Sequence, residues 1–533
     1  MQAPDNEDGD GLCLVITPLI ALMKDQVLHL REKGIKAFAI HTGITQDEMQ
    51  MILEHCQFGH AKFLYVSPER LESERFIQKL RFLPVALIAV DEAHCISQWG
   101  YDFRPSYLNI ARIRPLFPHA PVLALTATAT PEVVEDIQDK LSNEKAEPWN
   151  IFKASFCRKN LAYISRYTTE KEAQLLHILR SVEGSSIVYV RSRRRTTQIS
   201  ELLCSEGISA AAFHAGLSKA EKDYRQQQWT DGEIRVIVAT NAFGMGIDKP
   251  DVRTVIHLDL PDSIEAYFQE AGRAGRDGET AYAVLLHDDK DPIKIKKRES
   301  DAFPDITFIK RIYEAIGDNF EVALGFGANT VHAFHFDDFC RARHLPLIQT
   351  LSAIQLIAQA DFWLFEENRE IATRVQIRRS KEQLYGEQIT PLQEQILQYL
   401  MRHYTGLFST FAYIDDAEIC KALNLRLKNL NEELIKLASA GIITYIPRKE
   451  TPAITYIRDR VTLEELGDKI TEQYTRKKQT YQSRLNAILE YAVQTDFCRQ
   501  QLLVSYFGET EALPCQTCDV CRRKKNQIAN IKN

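Results

Sequence analysis

The sequence predicts an α/β protein with two successive parallel-sheet units, then two small α+β units and a helical metal-binding end. Three observations carry that prediction. Short apolar runs alternate with amphipathic stretches from Leu12 to about residue 290. A segment of 27 residues recurs at an offset of 80. Four cysteines cluster near the C-terminus with two short Cys-x2-Cys links. The 533 residues are 45% hydrophobic and 26% charged, an ordinary globular composition long enough for several domains. The net charge is −6, so any nucleic-acid contact must use local basic patches. No apolar run is long enough to span a membrane, and the acidic start, Met1 to Asp8, is no signal peptide. Apart from the C-terminal four, the 11 cysteines are scattered through apolar segments, a reduced, cytoplasmic pattern.

Leu12–Ile16 reads as a buried strand. Thr17-Pro18 follows, and Leu19, Leu22, Met23, Val27 and Leu30 mark a helix. Residues 37–41 and 62–67 read as further strands. Val85–Val90 is apolar throughout, as a strand covered on both faces is, and residues 122–126 continue the alternation. A second such unit opens near Ser185, with strands at 187–190 and 234–238. Arg191, Arg193, Arg194 and Arg195 open the helix between them, either as a solvated face or as a phosphate contact. Residues 288–300 are charged and read as a linker or exposed helix.

The strand Val85–Val90 ends in Asp91-Glu92-Ala93-His94. Ligands bind at strand C-terminal ends in open α/β sheets. An Asp there suits Mg²⁺, and a neighbouring Glu can position water beside a phosphate. Trp99, Tyr101 and Phe103 alternate with Gln98, Asp102 and Arg104, as stacking on single-stranded bases requires. Gly244 and Gly246 flank Met245 and permit close backbone approach to a ligand. Arg273 and Arg276 are three apart, so on a helix they would share a face that calls for an anion.

The repeat aligns Phe339–Phe365 with Ile419–Tyr445, with six identities: Cys340/Cys420, Ala342/Ala422, Leu345/Leu425, Leu347/Leu427, Ala358/Ala438 and Ala360/Ala440. Each copy reads as helix, turn, helix and strand, a winged helix-turn-helix. Asp337-Asp338 and Asp415-Asp416 are candidate caps for the first helix of each. The copies suit DNA docking or the packing and spacing of domains. Leu463–Val493 reads as one long helix. Beyond it, Cys498, Cys515, Cys518 and Cys521 have the spacing of a tetrahedral zinc site.

Together these strings resemble the RecQ-type DNA helicases. Asp91-Glu92-Ala93-His94, Ser97-Gln98-Trp99-Gly100 and Asp102-Phe103-Arg104-Pro105 resemble motif II and the aromatic loop that couples DNA contact to hydrolysis, with Tyr101 where the family more usually has His. Thr17-Pro18-Leu19 with Lys24-Asp25-Gln26, and Ser67-Pro68-Glu69, resemble motifs that contact the DNA backbone. Thr126-Ala127-Thr128-Ala129 resembles motif III, residues 240–249 motif V and residues 269–278 motif VI. The resemblance spans about residues 12–290 and 490–522.

It implies two RecA-like motor domains, at 1–145 and 146–290, and a zinc subdomain at 463–526; between them the repeat reads as winged-helix-like units at 300–376 and 385–462. The implied activity is that of an ATP- and Mg²⁺-dependent helicase moving 3′ to 5′ on single-stranded DNA in recombination and repair, with single-stranded and forked DNA as its partners. Asp91, Glu92, His94, Gln269, Arg273 and Arg276 would be catalytic. Asp91, Gly246, Asp248, Arg273 and Arg276 would face nucleotide and metal. Thr17, Pro18, Lys24, Ser67, Trp99, Phe103 and Arg104 would face DNA, and the four cysteines would hold Zn²⁺.

Two departures stand out. The repeat lies between the second motor domain and the zinc site, where the family usually has no insertion. The dipeptide Gly-Lys, needed for the phosphate-holding P-loop, occurs nowhere. The expectation is therefore an N-terminally truncated chain whose first domain is incomplete, with an uncovered strand edge. The rival reading is a non-hydrolysing DNA-binding or scaffold protein.

Overall fold

The computed structural model describes residues 11–41, 44–59, 61–97, 103–142, 148–244, 247, 249–371, 373–379, 383, 389–404, 406–408, 412–446 and 449–532. They form two compact units, Met1–Ile295 with Thr480–Asn533, and Lys296–Gln479.

The first unit holds two parallel sheets. In the first, β1 (Leu12–Ile16), β2 (Ala37–Ile40), β3 (Phe63–Val66), β4 (Val85–Val90) and β5 (Val122–Ala124) lie in the order β2-β3-β1-β4-β5. The period-2 alternation of strands explains the unbroken apolar runs. Leu12, Leu14 and Ile16 pack on one face with Leu64, Val66, Ile88 and Val90, while Cys13 and Val15 pack on the other with Met23, Val27 and Tyr65. Among the described residues β5 pairs with β4 alone and is an edge strand.

The second sheet comprises β6 (Leu161–Tyr167), β7 (Ser185–Tyr189), β8 (Ala210–Phe213), β9 (Val236–Ala239), β10 (Val252–His257) and β11 (Ala281–His287), in the order β6-β11-β10-β7-β9-β8. One of its faces is completed by the far end of the chain. Leu485, Ile488, Tyr491, Leu503 and Phe507 join Leu161, Tyr163, Tyr267 and Leu285 in a single core. The charged stretch after this sheet is the helix Asp291–Ala302, and Asp291 is buried against Lys171 at 2.8 Å.

The second unit carries the repeat, and its elements keep the offset of 80. The helices Phe336–Ala342 and Leu347–Gln359 correspond to Asp416–Leu423 and Leu427–Ser439. Left-handed residues recur at His344 (φ 51°) and Asn424 (φ 52°), and at Asp361 (φ 60°) and Gly441 (φ 70°).

The strands do not follow the boundaries 300–376 and 385–462. Here β12 (Val331–Ala333), β13 (Trp363–Ile371) and β17 (Lys449–Tyr456) form one antiparallel sheet, while β14 (Arg374–Ile377), β15 (Ala412–Tyr413) and β16 (Ile443–Ile446) form the other. So β14 belongs with the second copy and β17 with the first. Core chemistry selects the pairing: Trp363 stacks on Tyr313 at 5.4 Å and meets Tyr456 edge-on at 5.7 Å. Val375 and Ile377 instead join the aliphatic core of Leu397, Leu434 and Ile443.

The capping expectation holds for one copy. The Glu418 amide donates to Asp415 Oδ1 at 3.1 Å. Asp337 and Asp338 lie inside the first turn of their helix, where they favour its dipole without capping it. The helix Leu463–Val493 forms as read, and the boundary between the two units falls within it.

Candidate functional site

The parallel register of β1 and β4 pairs Ile16 with Val90, so Thr17 and Asp91 leave the sheet side by side. Thr17 Oγ1 donates to Asp91 Oδ2 at 3.2 Å, and the Glu92 amide donates to Asp91 Oδ1 at 2.9 Å. Burial pushes the Asp91 carboxyl above its usual range, and these two bonds oppose that shift. A partly desolvated carboxyl at a strand end is the chemistry that a bound cation would satisfy.

Glu92 adopts a left-handed backbone (φ 48°, ψ 45°), a conformation that costs a non-glycine residue about 1–3 kcal/mol. That turn sets its carboxylate 3.3 Å from His94 Nδ1. His94 is fully buried, and the same nitrogen lies 3.0 Å from Thr126 Oγ1. The Ala93 amide donates to Leu125 O at 2.9 Å. The 91–94 turn is thus tied to residues 125–126 by backbone and side chain together.

In the second sheet Tyr189 is the organising residue. Its ring stacks on His257 at 5.1 Å, its hydroxyl donates to Phe243 O at 2.8 Å, and Arg273 Nε donates to that hydroxyl at 3.0 Å. Arg276 Nη1 donates to Ile247 O at 2.6 Å. Phe243 and Ile247 are therefore both tied to the 273–276 segment. The expected shared helical face is not formed. The helix Ile264–Ala271, which carries Gln269, ends before either arginine, and both lie in the turns that follow. Gly272 is the C-cap residue of that helix, and Gly275, in the turns beyond it, has φ +63°. Arg158 holds the turns by donating to Gly272 O, Ala274 O and Gly275 O.

A Cβ on Gly275 would stand 2.6 Å from Asn160 Nδ2 and 2.8 Å from Ala281 Cβ. Gly275→Ala should destabilise the protein by about 1–3 kcal/mol from backbone strain, with overlap adding to it. Equilibrium denaturation checks this, and an unchanged midpoint would show that the turns relax freely.

Other expected positions are placed unevenly. Thr17 and Ser67 are fully or almost fully buried and Pro18 is buried, so these side chains face the protein interior. Lys24 is exposed, and Phe103 and Arg104 are half-buried, with the Arg104 amide donating to Cys95 O at 2.9 Å. Trp99, Gly246 and Asp248 lie outside the described residues. In the arginine cluster, Arg191 pairs with Asp262 at 2.6 Å and Arg195 with Asp259 at 2.9 Å. Arg158 and Tyr189 have no local signature in the sequence, because each acts through a partner far away in the chain, and Thr126 shows there only as part of its motif III-like string.

The four cysteine sulfurs lie within 4.8 Å of one another. Cys498 Sγ is 3.5 Å from Cys515 Sγ and 4.0 Å from Cys518 Sγ. Zinc–sulfur bonds of about 2.3 Å in a tetrahedron set sulfurs about 3.8 Å apart, so the residues fit the ion. The amides of Cys515, Cys518 and Cys521 point at Cys498, Cys515 and Cys518 sulfurs at 3.3, 3.3 and 3.4 Å, as suits thiolate charge. Next to the cluster, Arg499 is buried and forks onto Asp519 at 3.0 and 3.1 Å.

Comparison with known proteins covers most of these features. Residues 1–137 match the DEAD/DEAH box helicase profile, and 170–278 match the helicase conserved C-terminal domain. Residues 375–447 match the RecQ helicase winged-helix domain of Bacteroidota, and 457–522 match the RecQ zinc-binding profile. The winged-helix match coincides with the β14–β16 module, not with 385–462.

The chain is 42% identical over 312 residues to an ATP-dependent DNA helicase RecQ of Haemophilus influenzae, covering 58% of this chain and 50% of that one. It is 43% identical over 283 residues to the RecQ of Pasteurella multocida, covering 53% and 44%. It is 42% identical over 282 residues to a probable ATP-dependent DNA helicase RecS of Bacillus subtilis, covering 52% and 56%. The chain spans about half the length of the curated relatives it matches.

Proposed function

Because the chain belongs to the RecQ-type helicase family, we propose that it carries the DNA-facing and transition-state-facing parts of an ATP-dependent DNA motor. The motor runs 3′ to 5′ on single-stranded DNA and opens forked DNA during recombination and repair. The observation that carries this reading is the tie from Asp91 and Glu92 through His94 to Thr126. It links a carboxylate pair at a strand end to the segment that follows β5. Asp91 takes Mg²⁺ through water, and Mg²⁺ neutralises phosphate charge as it develops. Glu92 orients the attacking water, with His94 fixing its carboxylate. Arg273 and Arg276 stabilise phosphate charge, Arg273 being aimed by Tyr189. Lys24, Trp99, Phe103 and Arg104 face DNA, and the ring of Trp99 couples DNA contact to hydrolysis.

Two measurements test this. The chain should bind single-stranded and forked DNA more tightly than blunt duplex; equal affinity for all three counts against it. In a form extended by a phosphate-holding loop, a 3′-tailed duplex should be unwound and a 5′-tailed one left intact. In that form Trp99→Ala should cut DNA-stimulated ATPase far more than DNA affinity. Proportional loss of both would make the ring a binding platform only.

The missing Gly-Lys dipeptide favours a second reading, a protein that binds DNA without hydrolysing ATP. ATP turnover by the chain itself would exclude that reading.

A further inference from the structure

His214 lies just past β8, outside every motif used above. The Leu217 amide donates to His214 O at 3.2 Å and closes a turn over Ala215 and Gly216. A Cβ on Gly216 would stand 3.2 Å from Arg193 Nη1 and 3.3 Å from His214 Nδ1. The absent side chain is the room in which a guanidinium and an imidazole converge. Lys222, on the helix Lys219–Thr230, donates to Ala215 O at 2.9 Å, and Arg225 donates to Ala212 O at 2.6 Å. The nearby acid, Glu221, is engaged in the capping box of that helix, 2.7 Å from Ser218 Oγ. His214 Nδ1 is buried and has no hydrogen-bond partner. A buried polar nitrogen left open among three cations is a costly arrangement that an incoming anion would relieve.

We infer that Arg193, His214 and Lys222 form a proton-linked site for one phosphate of a single-stranded DNA backbone, with His214 taking up a proton as the phosphate arrives. Arg193 is exposed and Lys222 half-buried, so the site is open at the surface, as a passing polymer backbone requires and a small enclosed ligand does not. In the free protein, burial first, and then Arg193, Arg225 and Lys222, hold the imidazole below its usual range, with Glu221 opposing them. A bound phosphate raises it again. The extra grip is therefore fully present below the free-state value, and it fades as pH rises through the raised value of the complex. This inference rests on the DNA-motor reading.

The test is oligothymidine binding by the full chain, wild type against His214→Gln and His214→Lys, from about pH 5 to 8. Wild-type affinity should rise as pH falls, by at most about tenfold per pH unit for one linked proton. Calorimetry in buffers of different ionisation enthalpy should register the proton taken up. His214→Gln should lose the uptake and that part of the pH slope, whereas His214→Lys should bind well at every pH. A slope that survives unchanged in His214→Gln, or that is absent from wild type, overturns the inference and leaves the motor reading standing. Proton uptake with inorganic phosphate but not with oligothymidine overturns the assignment to DNA. No oligothymidine binding at any pH overturns both readings at once.

Discussion

Residues 1–533, assayed with ATP, Mg²⁺ and single-stranded DNA, should turn over no ATP above the protein-free background. The water-orienting and charge-stabilising groups are in place: Glu92 is held by His94, and Arg273 by Tyr189. These groups act on a phosphate that must first be immobilised. The amide cradle and lysine that do this in phosphoryl-transferring domains come with a Gly-Lys dipeptide, which this sequence does not contain. Positioning supplies about 7–11 kcal/mol of such catalysis, so its loss lowers the rate by at least about five orders of magnitude. Oligonucleotide binding, which uses other residues, should persist. Turnover that vanishes in Glu92→Gln would reveal a phosphate cradle of another kind.

Cys518→Ala should unfold the C-terminal region. Cys518 is fully buried, its sulfur accepts the Cys521 amide, and Val520 beside it is fully buried too. Structural zinc contributes about 10–16 kcal/mol of apparent binding energy to small cysteine sites at neutral pH. Removing one ligand forfeits a large part of that. The loss should spread, because Arg499 joins Asp519 of the cysteine helix to Tyr491 of the second-sheet core. Limited proteolysis should cut the variant after about residue 490, and elemental analysis should find one zinc per wild-type chain and none in the variant. Wild-type protein purified without chelator and free of metal would refute the site.

The features legible in sequence are those written locally. Strands covered on both faces announce themselves as apolar runs, and β1 and β4 fall where those runs do. Short Cys-x2-Cys links gave the zinc ligands, and the repeat gave two pairs of helices with matching bounds. The illegible features need partners distant in sequence. Nothing in β14 says that it pairs with β16, because its alternation of Val375 and Ile377 would suit either sheet. The burial of Thr17 and Ser67 depends on neighbouring strands, not on their own motifs. The place of Arg273 and Arg276 could have been read, since Gly272 and Gly275 mark a helix end in sequence.

The strand exchange also fixes an order of assembly. β13 cannot find β17 until the intervening residues 374–446 have been made, and those residues hold a complete core of their own. The second parallel sheet likewise waits for Leu485 through Phe507, after the whole of Lys296–Gln479 has been synthesised. The chain is thus a set of nested insertions in which the innermost piece closes first and the outermost last. Domains fold as units while the chain emerges from the ribosome. A nascent chain stalled between residues 446 and 480 would carry a finished inner module on an open second-lobe core. Stalled or prematurely terminated chains should therefore be chaperone clients and protease substrates, even though the first strand of every sheet has already been made.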